Sequence, residues 1–303
     1  MADALPDPAG LSHAQGAAVR ALTARSDRHG LAQLAAHLGV LAVTGGLVTL
    51  ARGSLWLWPA MLLHGIVLVF LFAPLHETVH RTAFRSRHLN DVVAWVCGAL
   101  LILPPEYFRA FHFTHHRYTQ DPARDPELIR PKPGTVRDYL WHVSGVPYWR
   151  ERVATTIRHA LGRVDAPFIA PRLRPRIARE ARMLLALYAI LAAGSLAVGS
   201  PALLWLWVVP ALLGQPFLRL YLLAEHTGCP LVPDMLANSR TTRSLAVIRK
   251  LAWNMPYHAE HHAFPAVPFH ALPAAHALLK ERIAIQAPGY VAVNRAILAD
   301  LRA

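Results

Sequence analysis

Asn254-Met255-Pro256-Tyr257-His258-Ala259-Glu260-His261-His262 is the stretch on which the reading of this chain turns. Its three histidines stand at i, i+3 and i+4, positions that share one helical face a turn apart. Three imidazoles on one face make poor core packing and good metal ligands. The same spacing recurs at His112-Phe113-Thr114-His115-His116, and an i, i+4 pair occurs in His76-Glu77-Thr78-Val79-His80. A single histidine, His226, ends the run Leu222-Leu223-Ala224-Glu225-His226. Nine histidines thus fall in four places, and the rest of the sequence reads as the means of bringing those places together.

The means is a membrane. The chain has 303 residues, 54% of them hydrophobic, and its mean hydropathy is +0.29, too apolar for an ordinary soluble domain of this size. Four spans are expected, at about residues 31–50, 54–75, 183–198 and 201–223, with Trp56 and Trp58 as interfacial anchors. Residues 91–103 are apolar but too short to cross, which predicts a re-entrant or interfacial helix ended by Pro104-Pro105. If that run crossed, the first two histidine groups would lie on opposite faces and could not share a metal. The expected fold is therefore an all-α membrane protein of about four transmembrane helices plus the interfacial helix. One membrane unit, 31–303, follows a mobile polar lead-in, 1–30, and residues 76–90, 104–182 and 224–303 form a helical cap. Proline-rich patches argue against one continuous helix in the polar segment 117–182. That segment carries fourteen of the 31 Lys and Arg residues, whereas only Arg52 lies on the proposed outer face. This asymmetry predicts both termini and all four histidine groups on the cytoplasmic side of an integral, multi-pass protein, as in a bacterial inner membrane.

The net charge of +13 suits anionic lipid or an acidic partner protein. No nucleic-acid reader motif accompanies it, so no nucleic acid is expected. The two cysteines, Cys97 and Cys229, have neither a disulfide framework nor zinc spacing. Nine imidazoles are too many for one ion and suit two, each with an open position. Imidazole serves zinc, copper, iron and nickel alike, and iron is the one whose open positions activate oxygen. Metal-bound imidazoles usually donate their other N–H to a carboxylate or carbonyl. Glu77, Asp121, Asp125, Glu225, Asn254 and Glu260 are the candidates for that supporting role, with Glu127 nearby. His37 and His64 lie within spans, where bonding to a neighbouring helix's carbonyl would account for them. His270 and His276 stand between support of the site and the surface. One competing motif is His76-Glu77-Thr78-Val79-His80 read as HExxH, the zinc-binding helix of a membrane metalloprotease. That reading leaves His112, His115, His116, His258, His261 and His262 unexplained.

The order HxxxH, HxxHH, a lone histidine after the last span, then HxxHH resembles the membrane fatty acid desaturase superfamily, over about residues 60–275. That superfamily includes alkane and carotenoid hydroxylases and alkene-forming fatty acid decarboxylases. The resemblance implies two non-haem irons in a cytosolic cap, O₂ as co-substrate and two external electrons per turnover. It implies as iron ligands His76, His80, His112, His115, His116, His226, His258, His261 and His262. Glu225-His226 followed by Gly228 is similar to the extra box of the alkane hydroxylases. His258-Ala259-Glu260-His261-His262-Ala263-Phe264-Pro265 is closer to the acyl desaturases. Desaturation of a fatty acyl or similar long apolar chain is therefore the expected activity, with hydroxylation or oxidative decarboxylation as alternatives. No cytochrome b5-like or ferredoxin-like stretch is recognisable, so a separate electron donor is expected, such as ferredoxin or rubredoxin with its reductase.

Overall fold

The computed structural model describes residues 13–302. Helix α1 (His13–Ala21) precedes α2 (Asp27–Leu50), which Ser26 caps by accepting from the His29 N–H. Helices α3 (Leu57–Val69) and α4 (Phe72–His80) run on as a single apolar element, Leu57–His80. Helices α5 (Arg87–Leu100) and α6 (Pro105–Tyr118) meet at a bend of 99°. A 3-10 turn at Pro126–Leu128, α7 (Val136–Val143) and α8 (Val146–Ala160) fill the polar segment. Helix α9 (Arg174–Ala197) follows, then a π-turn at Leu204–Val208 that continues into α10 (Val209–His226). The remainder is α11 (Met235–Asn238), α12 (Ala246–Leu251), α13 (His258–Ala263), α14 (Leu272–Leu279) and α15 (Tyr290–Asp300). Two short strands, β1 (Thr241–Thr242) and β2 (Gln286–Ala287), pair in parallel, Thr241 opposite Gln286.

Four helices are long and apolar enough to cross a bilayer: Asp27–Leu50, Leu57–His80, Pro171–Ala197 and Leu204–His226. A 24-residue helix spans ~36 Å, enough for a hydrocarbon core of ~30 Å. Their outward faces are apolar and uncovered by protein: Val43 is 65% exposed, Ile190 68% and Leu196 82%. Such a belt is costly in water and natural in lipid. The α5–α6 pair turns back rather than running straight, for local reasons. Pro104 and Pro105 end one helix and start the next, Ile102 adopts φ 51°, and the Leu103 N–H bonds back to the Gly98 carbonyl at 2.8 Å. A Cβ on Gly98 would stand 2.6 Å from Leu103 O, so only glycine permits that return.

Two differences from expectation concern the ends of elements. Of the lead-in 1–30, residues 1–12 lie outside the described residues, but 13–21 form α1 and its Val19 is fully buried in the core. The third apolar helix starts well before residue 183: Arg176 pairs with Glu106 at 2.7 Å, and the arginines of its first turns extend it past the apolar stretch.

Contacts between spans position the histidine groups at their ends. Gly65 of α3 and Gly214 of α10 touch backbone to backbone. A Cβ on Gly214 would lie 2.2 Å from the Gly65 carbonyl carbon, and one on Gly65 would lie 1.9 Å from Pro210 O. Small residues facing each other allow this approach, and it presses the element ending in His76 and His80 against the helix ending in His226. His37 and His64 tie spans through backbone carbonyls. His37 Nε2 lies 3.0 Å from Val67 O, with the Trp253 indole N–H donating to His37 Nδ1. His64 Nε2 lies 3.0 Å from Leu206 O, with Thr44 on its Nδ1.

Candidate metal centre

All nine histidines converge, and they do so as two sets. His76, His80, His112, His116 and His261 place one ring nitrogen each within 4.8 Å of one another, as do His115, His226 and His262. His258 joins the second set, its Nε2 being 2.9 Å from His226 Nε2. The i, i+3, i+4 spacing explains the division. On α6, His112 and His116 face the first set and His115 the second. On α13 the roles are reversed: His258 and His262 face the second set and His261 the first. Each HxxHH group therefore straddles two centres. The i, i+4 pair His76/His80 of α4 completes the first and His226, the last residue of α10, completes the second.

The short nitrogen–nitrogen distances cannot all be hydrogen bonds. His112 Nε2 lies 2.9 Å from His76 Nε2, 2.8 Å from His80 Nε2 and 3.1 Å from His116 Nε2. One imidazole nitrogen carries either one proton or one in-plane lone pair, so it makes one hydrogen bond and not three. His76 and His261 meet at 2.8 Å, and His115 and His226 at 3.2 Å, in the same way. Nitrogens bound to one ion at ~2.1 Å stand ~3 Å apart, so the donor set fits two metal ions. Ligation requires neutral rings. Burial pushes His261 down to about 3 and, with the neighbouring imidazoles, holds His258 and His262 well below the usual histidine range.

The outer nitrogens decide which ring nitrogen faces inward. His115 Nδ1–H donates to Asp125 Oδ1 at 2.9 Å, and Asp125 in turn accepts the Gln120 and Glu127 backbone N–H groups. His226 Nδ1 lies 3.3 Å from the Asn238 carbonyl. The Thr119 hydroxyl donates to the His115 carbonyl and sits 3.1 Å from His262 Nδ1, which donates to it. His258 Nδ1 is 3.3 Å from Glu225 Oε1. Every ring of the second set thus has an oxygen within 3.3 Å on its far side, although His258 Nδ1 makes no hydrogen bond to Glu225. In the first set the Nδ1 atoms of His116 and His261 are buried without a partner among the described residues. His80 and His116 are only half-buried, so this set is the one open to its surroundings.

Of the expected supporting residues, Asp125 and Glu225 reach rings of the two histidine sets and four do not. Asp121 closes a turn with Ala123 and Arg124. Asn254, at φ 59°, donates to the Phe269 carbonyl. Glu77 accepts the Phe269 N–H at 3.0 Å and is wholly buried. Glu260 bonds Thr241 and His276, anchoring α13 to its neighbours. A carboxylate next to a histidine in sequence projects from a different helical face, so proximity along the chain does not bring it to the ring. Thr119 and Asn238 lie outside the sequence-based set, because a backbone carbonyl and a threonine after a box carry no signal. His276 takes the Glu260 carboxylate and His270 stacks on His29 at 4.4 Å.

Residues 53–294 match the family model described as fatty acid desaturase. The chain belongs to that family. It is 24% identical over 249 residues to an sn-1 oleoyl-lipid 12-desaturase of Synechocystis sp., covering 75% of this chain and 67% of the relative. It is 28% identical over 261 residues to the dihydrorhizobitoxine desaturase of Bradyrhizobium elkanii, covering 79% and 71%. A shorter match, 29% over 99 residues, links it to beta-carotene 4-ketolase 3 of Haematococcus lacustris, covering 28% and 31%. Membership makes this chain a membrane-associated, desaturase-type oxidoreductase with a lipid-class substrate, and its histidine cluster is a site that could bind metal.

Proposed function

We propose that this desaturase-family protein oxidises an unactivated C–H bond of a fatty acyl or similar long apolar chain with O₂, and that desaturation is its reaction. The observation that carries the reading is the mirrored use of the two HxxHH groups, which divides nine imidazoles into sets of five and four. His76, His80, His112, His116 and His261 would hold one iron, and His115, His226, His258 and His262 the other. Such a pair supplies oxygen activation, which a C–H bond without an acidic proton requires. The chain's own part is placement. Asp125, Asn238, Thr119 and Glu225 fix the rings, and the spans deliver an apolar chain and keep water from the reacting carbon. Electrons come from a separate acidic carrier such as a ferredoxin or rubredoxin, docking on the basic cap. Cap and termini face the cytoplasm, in keeping with the basic segment 117–182.

The test feeds reconstituted, iron-loaded protein with reductant, O₂ and a panel of fatty acids, acyl thioesters, lipids and alkanes. Products are identified by mass spectrometry, with metal content measured on the same sample. A product two hydrogens lighter and about two irons per chain are expected. Gain of one oxygen would replace desaturation by hydroxylation, and loss of the carboxyl carbon would replace it by decarboxylation. Two bound irons with no O₂-dependent change in any chain-like substrate would refute the reading.

A further inference from the structure

Away from the histidines, a second group of polar side chains is left incompletely satisfied: Gln215 is buried, and Arg219 and Arg152 are half-buried. Gln215 and Arg219 of α10 are one turn apart, and His226 lies seven residues beyond Arg219, along the same stripe of the helix. Gln215 is 0% exposed, and neither its Nε2 nor its Oε1 has a partner among the described residues. A Cβ on Gly145, at the α7–α8 joint, would stand 2.5 Å from its Cγ, so the amide is roofed by that joint. Arg219 makes no hydrogen bond or ion pair among the described residues. Its guanidinium lies over the Tyr148 ring at 4.6 Å, and its Nε is buried without an acceptor. Arg152 approaches the same ring at 5.8 Å, with its Nε likewise buried and unbonded. Its one acid among the described residues, Glu151 at 3.0 Å, is shared with Arg130. The Trp149 indole N–H, on the same helix α8, is a further buried donor without an acceptor.

Buried donors and cations in folded proteins are almost always satisfied. An ionised residue within a membrane-crossing helix is expensive and marks a functional path. Here the surplus is nearly all of one kind: N–H donors and positive charge, with one amide oxygen. What fits such a set is a compact acceptor carrying negative charge. Guanidinium forks match a carboxylate in shape as well as charge.

We propose that Arg219, Arg152, Gln215 and Trp149 form an anion subsite that receives the free carboxylate head of the chain substrate. The inference rests on the proposed function and narrows it. Arg219 lies ~10 Å along the α10 axis from His226, seven residues at ~1.5 Å each. A head held there brings the carboxyl end of the chain, rather than its middle, to the histidines. The subsite also gives a half-buried guanidinium, with no ion pair among the described residues, a reason to persist.

The experiment measures binding without turnover, on metal-loaded full-length protein in nanodiscs. The probes are dodecanoate, its methyl ester, dodecan-1-ol and a lysophosphatidate of the same chain length, for wild type, Arg219→Met and Gln215→Leu. Wild type is expected to bind dodecanoate about tenfold or more tighter than the ester or alcohol, as charge-assisted bonds require. Arg219→Met should abolish that preference with metal content intact. It should also raise the melting temperature of the unliganded protein, because a half-buried charge with no ion pair among the described residues is replaced by an apolar side chain of similar length. Gln215→Leu should weaken dodecanoate binding less, with the same rise in stability. Equal affinity for acid and ester in wild type, or a preference that survives Arg219→Met, would overturn the subsite. So would a fall in melting temperature with loss of metal in both variants, which marks a structural role. Tighter binding of the lysophosphatidate than of dodecanoate would overturn the carboxylate assignment. Carboxylate preference in a protein that oxidises nothing would sink the proposed function and leave the subsite standing. Oxidation of esters and acids alike, unchanged in Arg219→Met, would do the reverse.

Discussion

Replacing Asp125 by alanine should weaken the four-histidine set and spare the five-histidine set. Asp125 is 3% exposed, and its two oxygens accept from His115 Nδ1 at 2.9 Å and from the backbone N–H groups of Gln120 at 2.8 Å and Glu127 at 2.9 Å. Its removal leaves the His115 ring free to turn or to change tautomer, so that Nε2 no longer faces His226 Nε2 at 3.2 Å. Loss of such a partner typically costs ~10–100-fold in metal affinity, or ~1.4–2.7 kcal/mol. The orphaned backbone donors add a stability loss of ~1–3 kcal/mol. Competition with a graded chelator reads the effect directly: one metal equivalent should leave ~10–100-fold earlier in the variant, and the other on the wild-type curve. Asp125→Asn keeps an acceptor for the imidazole and should fall between. Asp121→Ala, at an exposed turn bonded only to Ala123 and Arg124, is the control and should match wild type. If both equivalents weaken together in Asp125→Ala, or neither does, the reasoning that separates the two sets is wrong.

Gly214→Val should drive α3 and α10 apart, since a Cβ there already lies 2.2 Å from backbone. Overpacking of that kind costs ~1–3 kcal/mol or more, and the variant should melt earlier and hold less metal. Gly194→Ala, with open space at its Cβ, should do neither. Metal-free protein should lose stability as pH falls below ~6.5. The unfolded chain protonates there while His261, pushed down to about 3, and His142, pushed down to about 4, stay neutral when folded. Thermal melts from about pH 8 to about pH 4, with and without metal, would show a falling melting temperature that bound metal offsets, and a flat apo profile would contradict it. A cysteine placed at Ser54 should react with an impermeant reagent added outside intact cells. Labelling only after permeabilisation would invert the proposed topology.

The histidine groups were legible because their signal is a spacing of chemically unusual residues. HxxHH has few uses other than a helix turning three imidazoles to one side, and the structure puts all nine in one place. The apolar helices and the bent α5–α6 pair were legible for a similar reason, since length and hydropathy speak directly to a bilayer thickness. The division of each triplet between two centres was implicit in the same spacing: i and i+4 lie ~40° apart on a helix whereas i+3 lies on the other side of i. The supporting residues were legible only where a side chain does the work. Asp125 and Glu225 could be named, while the Asn238 carbonyl could not, because any residue offers one. Glu77, Asn254 and Glu260 show the opposite error, in which a polar residue beside a histidine serves the fold.

The unsatisfied polar groups are where stability has been given up for binding. In a protein built to maximise stability, Gln215 and Arg219 would be leucines, and the Nδ1 atoms of His116 and His261 would have acceptors. In the second histidine set Asp125, Asn238 and Thr119 lie against the rings of His115, His226 and His262, and Glu225 lies beside His258, whose Nδ1 makes no hydrogen bond among the described residues. The first set and the arginine pair are unfinished, and each faces a place where something else must come: His80 and His116 are half-buried, and Gln215 lies roofed by Gly145 with its amide empty. Unfinished polar groups on a rigid frame are where binding energy for a substrate can be gained, since their desolvation is already complete before it arrives. The two deficits lie on one path: α10 carries Gln215 and Arg219 in its middle and His226 at its end, with the histidine sets in contact through the stacked rings of His116 and His262 at 4.1 Å. A chain held at its charged head by the first group and oxidised beside the second would satisfy both at once.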